Sequence, residues 1–177
     1  MNWPNAITIV RVFLVPVFAV LAYQDTTGAR VASLIVFGVA SLSDLIDGYL
    51  ARRFDITTRF GEFWDPTADK LLIGAALVVL VDLRGFPLWA AIVIGFREIA
   101  VQFVRGAIVG GGGTLPASPA GKLKTVLQIG MVGWWLLPWD RVGAIHWIWL
   151  YAVLAVTLWS GAEYVVRYLR MDKAPVT

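Results

Sequence analysis

Four aspartates dominate the chemistry this chain could perform. Asp44 and Asp47 stand three residues apart in Asp44-Leu-Ile-Asp47-Gly48-Tyr-Leu-Ala51-Arg52, and Asp65 and Asp69 stand four apart in Gly61-Glu-Phe-Trp-Asp65-Pro-Thr-Ala-Asp69. On helices, both spacings put each pair on one face. The short connection between them makes the two helices antiparallel neighbours, so the four carboxylates can converge. Unneutralised, they would repel one another in a low-dielectric groove and take up protons. Divalent cations remove that conflict, and an oxygen-only donor set suits Mg²⁺ or Mn²⁺. Two such ions can clamp a pyrophosphate and stabilise both the attacking and the leaving oxygen. Gly48 and Ala51 keep the aspartate face small enough for a bulky ligand, and Arg52 adds a fixed cation able to pair bidentately with phosphate. The competing reading pairs the aspartates with Arg52, Arg53, Arg59 and Lys70 at a solvated interface; it leaves the small residues and the helical spacing unexplained.

The elements that must position these groups are apolar. Of 177 residues, 59% are apolar and 15% charged, with a mean hydropathy of +0.74. A soluble domain has about 45–50% and about 25%. A membrane-spanning helix takes about 20 residues, so six take about 120 and leave about 57 for connections. A large soluble domain, a Rossmann module and a long disordered arm are excluded. There is no cysteine, so disulfides, thiolate metal sites and cysteine nucleophiles are excluded as well. The single histidine, His146, cannot build a histidine-rich metal site and reads as structural. Arg11 inside the first apolar run argues against a cleavable signal.

The apolar stretches predict six transmembrane helices, at about 7–23, 29–52, 59–81, 88–109, 120–137 and 145–168, in one all-α integral membrane domain covering residues 1–177. Asn5 is placed to cap the first. The longest connection opens on Gly110-Gly111-Gly112-Gly113 and runs through Pro116 to Pro119; no Gly-Lys-Ser/Thr closes it, so it is a connector and not a phosphate loop. Six spans put both termini on one side. That side and its loops hold twelve of the 15 basic residues, and the other side only Arg30, Arg84 and Arg141. The excess predicts cytoplasmic N- and C-termini. Trp89, Trp134, Trp135, Trp139, Trp147 and Trp149 gather towards the outer ends, as an aromatic belt would.

The pattern D-x2-D-G-x2-A-R-x8-G-x3-D-x3-D, complete from Asp44 to Asp69, resembles the signature of the CDP-alcohol phosphatidyltransferase family. The resemblance implies six transmembrane helices, a homodimer in the cytoplasmic (inner) membrane, and a cytoplasm-facing cavity that binds a CDP-linked lipid through two divalent ions, Mg²⁺ or Mn²⁺. It implies that Asp44, Asp47 and Asp65 ligate metal, and that Asp69 also lies at the metals and acts as general base. Gly48, Ala51, Arg52 and Gly61 would contact the cytidine diphosphate portion. Asn5 would either touch the nucleotide or cap its helix.

Outside the motif, Pro4-Asn5-Ala-Ile-Thr8-Ile-Val-Arg11, Thr58-Arg59-Phe60-Gly61, Phe96-Arg97-Glu98-Ile99, Gly121-Lys122-Leu-Lys124-Thr125 and Thr157-Leu-Trp159-Ser160 are similar to the family's bacterial phosphatidylglycerophosphate synthases. The implied substrates are CDP-diacylglycerol and glycerol 3-phosphate, within membrane lipid and without nucleic acid. The acceptor is a dianion and needs cations of its own. Arg59, Arg105, Lys122 and Lys124 are the candidates, with ordinary anchoring of helix ends as the rival reading. Arg97 beside Glu98 reads equally as an internal ion pair or a substrate contact. Other acceptors remain within the resemblance: phosphatidylglycerol, as in cardiolipin synthases of the same fold, or inositol phosphate. An intramembrane prenyltransferase also uses Asp-rich Mg²⁺ motifs but lacks the Gly/Ala/Arg spacing. An ion transporter would need a second set of carboxylates to continue the path outward.

Overall fold

The computed structural model describes the backbone of residues 3–24, 26–54, 59–110, 118–139 and 142–171, and the side chains of residues 9–24, 26–43, 70–106, 108, 118–139 and 142–169. Within these residues every regular element is a helix. The order is α1 (Trp3–Ala22), α2 (Thr27–Phe54), α3 (Arg59–Leu83), α4 (Leu88–Gly110), α5 (Pro119–Leu136) and α6 (Ala144–Met171).

Local chemistry explains several of the boundaries. Thr26 caps α2, its Oγ1 accepting from the Ala29 N–H at 3.2 Å. Ser118 caps α5, accepting from the Gly121 N–H at 3.0 Å, and Pro119 follows at the first helical position, where its missing N–H costs nothing. At α6 the pairing is reciprocal: the Gly143 N–H donates to His146 Nδ1 at 3.1 Å, and the His146 N–H donates to the Gly143 carbonyl at 3.1 Å. This is the logic of a capping box with an imidazole as the returning group, and it gives His146 the structural role expected of it. Between α3 and α4, Gly85 adopts φ 65°, a left-handed conformation that favours glycine. The Phe86 N–H reaches back across it to the Leu80 carbonyl at 3.1 Å. Asn5 lies inside α1, which starts at Trp3; it is therefore not the residue before the helix. Pro4 in the first turn is tolerated for the same reason as Pro119.

The chain divides into two compact units. The first comprises residues 1–86 and 132–142, the second 87–131 and 143–177. In the first, α1 packs against α2 and α3, and α2 against α3. Phe18 and Phe37 meet with ring centroids 5.8 Å apart, and Ala22, Ala40, Leu72, Ala76 and Leu80 are buried in the same unit. Phe86 meets Trp135 edge-on at 4.9 Å. Trp135 is buried, so it belongs to the core and not to an aromatic belt, whereas Trp89, Trp139 and Trp147 are exposed as the belt reading expects. In the second unit α4 packs on α6. Trp149 donates from Nε1 to the Leu127 carbonyl at 3.1 Å, its ring lying where Gly130 carries no side chain.

Among the described residues one helix, Ala144–Leu169, is long and apolar enough by length and composition to cross a membrane. Six helices are thus present, while the apolar run of α4 is interrupted by Arg97, Glu98 and Arg105. Its outward stripe is apolar nonetheless: Leu88, Ile92, Phe96, Ile99 and Phe103 are all exposed.

Candidate active site

Helix geometry runs without a break through both halves of the aspartate motif. Asp44, Asp47, Gly48, Ala51 and Arg52 are positions of α2, and Arg59, Gly61, Asp65 and Asp69 are positions of α3. The steps of three and four residues between the paired aspartates therefore fall on continuous helix, and each pair of positions shares a face. α2 and α3 are packed neighbours. The metal-ligand and nucleotide roles expected of eight of these residues and of Asn5, and the acceptor-phosphate role expected of Arg59, concern side chains that lie outside the described ones. Among the described residues no cluster of three metal-ligating side chains occurs.

The described side chains nearest the motif in sequence show how α2 is held. Arg11 of α1 is only 2% exposed, and its Nε donates to the Ala40 carbonyl at 3.3 Å. The same carbonyl accepts from Ser43 Oγ at 2.9 Å. Ala40 lies one helical turn before Asp44, so a buried guanidinium is fastened to α2 immediately upstream of the motif. In the sequence Arg11 only argues against a cleavable signal and ends one of the segments similar to the family. The signal was its position within an apolar run, where a cation is costly unless it has work to do.

The acceptor candidates of the second unit separate into three environments. Lys122 is exposed near the start of α5. Lys124, two residues on, faces inward and is 5% exposed; its Nζ pairs with Glu98 of α4. Glu98 is shared with Arg97, whose Nη1 lies 3.6 Å from the same carboxylate oxygen. Arg97 Nη2 in turn donates to Ser160 Oγ of α6 at 2.8 Å. Of the two readings of Arg97, the structure shows the internal ion pair. Arg105 is half-buried with its guanidinium 5.8 Å from the centre of the Tyr164 ring, a cation–π distance. The Tyr164 hydroxyl accepts from the Ser118 N–H at 3.3 Å, which ties the start of α5 to α6.

Comparison with known proteins agrees with the motif. The family model for CDP-alcohol phosphatidyltransferase matches residues 1–159. A probable phosphatidylglycerophosphate synthase of Mycobacterium tuberculosis (strain H37Rv) is 38% identical over 175 residues, covering 96% of this chain and 82% of that one. The CDP-diacylglycerol–glycerol-3-phosphate 3-phosphatidyltransferase of Bacillus subtilis (strain 168) is 37% identical, with 92% and 93% covered. The enzyme of that name from Escherichia coli (strain K12) is 36% identical, with 92% of each chain covered. Among solved structures, the crystal structure of Mycobacterium tuberculosis phosphatidylinositol phosphate synthase in complex with manganese and citrate superposes with a TM-score of 0.66. It covers 95% of this chain and 83% of that one at 17% identity, a likeness of fold.

Proposed function

This chain belongs to the CDP-alcohol phosphatidyltransferase family, and from that membership we propose that it transfers the phosphatidyl group of CDP-diacylglycerol to glycerol 3-phosphate. The products are phosphatidylglycerol phosphate and CMP, and the process is phospholipid biosynthesis. The observation that carries the reading is the match, over nine-tenths of the chain, to relatives bearing that activity in their names. The family match runs through both compact units, which supports one membrane domain rather than two functions.

The donor set fits a hard divalent ion. It consists of four carboxylates, the chain has no thiol, and its one imidazole is committed to the start of α6. Asp44, Asp47, Asp65 and Asp69 would hold two ions, Mg²⁺ or Mn²⁺; the manganese of the structural neighbour supports a divalent metal. When bound, the metal neutralises the pyrophosphate and stabilises charge on the leaving CMP. Asp69 takes the proton from a hydroxyl of glycerol 3-phosphate as that oxygen attacks the lipid-side phosphorus. The phosphorus–oxygen bond to CMP breaks, and its electron pair leaves with CMP. Gly48, Ala51 and Gly61 leave room for the nucleotide, and Arg52 and Asn5 bind it. Arg59, Arg105, Lys122 and Lys124 supply the positive charge for the acceptor phosphate. As in phosphoryl transfer generally, the work is positioning and electrostatics.

The setting is the inner membrane, crossed six times, with cytoplasmic termini, a cytoplasm-facing site and a homodimeric assembly. The exposed apolar stripe of α4 supports a lipid-facing surface. Purified protein given CDP-diacylglycerol, Mg²⁺ or Mn²⁺ and one acceptor at a time should release CMP with glycerol 3-phosphate. Release with phosphatidylglycerol alone would transfer the reading to cardiolipin synthesis, and no acceptor-dependent CMP would end it. Asp69→Asn should lower turnover by about 10²-fold or more while the protein stays folded, and EDTA should abolish turnover reversibly.

A further inference from the structure

The ion cluster of the second unit has more construction behind it than a stability role explains. Three helices contribute to it: Arg97 and Glu98 from α4, Lys124 from α5 and Ser160 from α6. The Arg97 side chain is fixed from both sides. Ser160 Oγ donates to the Thr157 carbonyl at 3.1 Å, which uses its single proton and leaves it an acceptor for Arg97. At Gly161 a Cβ would come within 3.3 Å of Arg97 Cγ, so the absence of a side chain lets the stem of Arg97 lie along α6. A buried ion cluster is weak support for stability, since apolar residues of similar volume do as well or better. A lysine in an apolar bundle, left to itself, extends its flexible stem towards water. Here the Lys124 ammonium is instead held inside, at 5% residue exposure, by a carboxylate that is itself braced.

We propose that Glu98 is a positioning residue for acceptor binding: it fixes the Lys124 ammonium where the phosphate of glycerol 3-phosphate is received. The proposal rests on the reading of Lys124 as an acceptor-phosphate ligand. A lysine binds phosphate as a point charge, so its affinity depends on where that charge is held, and a cation ordered beforehand spares the ordering cost at binding. Arg97 and Ser160 act one step further back, by keeping Glu98 in place. The sign of the effect is diagnostic. A carboxylate that merely competed with the phosphate would weaken binding, and its removal would tighten it; a positioning carboxylate does the reverse.

The test measures KM for glycerol 3-phosphate, KM for CDP-diacylglycerol and kcat in wild type, Glu98→Gln, Glu98→Asp, Ser160→Ala and Lys124→Ala. Glu98→Gln should raise the acceptor KM about tenfold, leave the CDP-diacylglycerol KM within about twofold and largely keep kcat at saturating acceptor. Glu98→Asp, which retains the charge but withdraws it by one methylene, and Ser160→Ala should each raise the acceptor KM about threefold. These two carry the same expectation if the glutamine variant does not fold. Combined with Lys124→Ala, Glu98→Gln should add nothing further. An acceptor KM that is unchanged or lowered in the Glu98 variants, or equal rises in both KM values, overturns the positioning role. A wild type without glycerol 3-phosphate turnover, or Lys124→Ala with an unchanged acceptor KM, removes the underlying reading and the proposal with it.

Discussion

Tyr23 follows the end of α1, and its phenol meets Asp82 near the end of α3. Hydrogen bonding to the Asp82 carboxylate, with some desolvation and the repulsion a phenolate would feel there, holds the Tyr23 phenol above its ordinary value of 10.0. Because the folded pKa lies above the unfolded one, the pair's stabilisation is complete below the unfolded value. It is lost as pH rises through the folded value. Asp82→Asn should bring the Tyr23 titration back towards the ordinary range, read as phenolate absorbance after subtracting a Tyr23→Phe control; an unmoved titration would refute the pairing. Individual residues also mark where sequence reasoning stops. Lys122 and Lys124 are two positions apart, so a helix must turn them to different sides, and that much is legible. Which of them faces inward is decided by Glu98 on α4, a contact between segments 26 residues apart that helical periodicity does not encode.

At the scale of elements, the six apolar runs became six helices because apolar length and helical periodicity are local properties. The boundaries moved where chemistry was misread as punctuation. Pro4 and Pro119 look like breaks, yet each occupies a first turn, and Ser118 ahead of Pro119 is a cap signature. One helix–helix contact offers a direct test. A Cβ on Gly130 would lie 2.7 Å from Trp149 Cζ2, and Trp149 cannot swing away without losing its bond to the Leu127 carbonyl. Alanine gains about 1 kcal/mol over glycine in helix propensity, whereas overpacking costs about 1–3 kcal/mol. Gly130→Ala should therefore destabilise the protein by about 1 kcal/mol on balance, seen as a lower midpoint of thermal unfolding in detergent. A stabilised variant would show that the ring yields freely.

For the molecule as a whole, α4 shows how a helix can carry charges and still present an apolar surface. Arg97 and Glu98 are paired inward and Arg105 is half-buried against the Tyr164 ring, while the apolar stripe faces out. Mean hydropathy cannot tell these two faces apart, whereas the three- and four-residue spacing of the exposed apolar residues does. The absence of native cysteine makes labelling clean. Gly28 and Gly106 are exposed and have open space around them. Gly28→Cys should react with an impermeant maleimide in intact cells, and Gly106→Cys only after the membrane is opened. The reverse pattern would invert the topology.

The cap at Ser118 has a consequence for how this chain can be cut. α5 begins on its own serine, and that serine's N–H is moored to the Tyr164 hydroxyl of α6. The helix is located by what it touches, not by the covalent thread that leads to it. A reporter spliced in ahead of Ser118 should accordingly leave the helix in place, because each doubling of loop length adds only about 0.6 kcal/mol to closure.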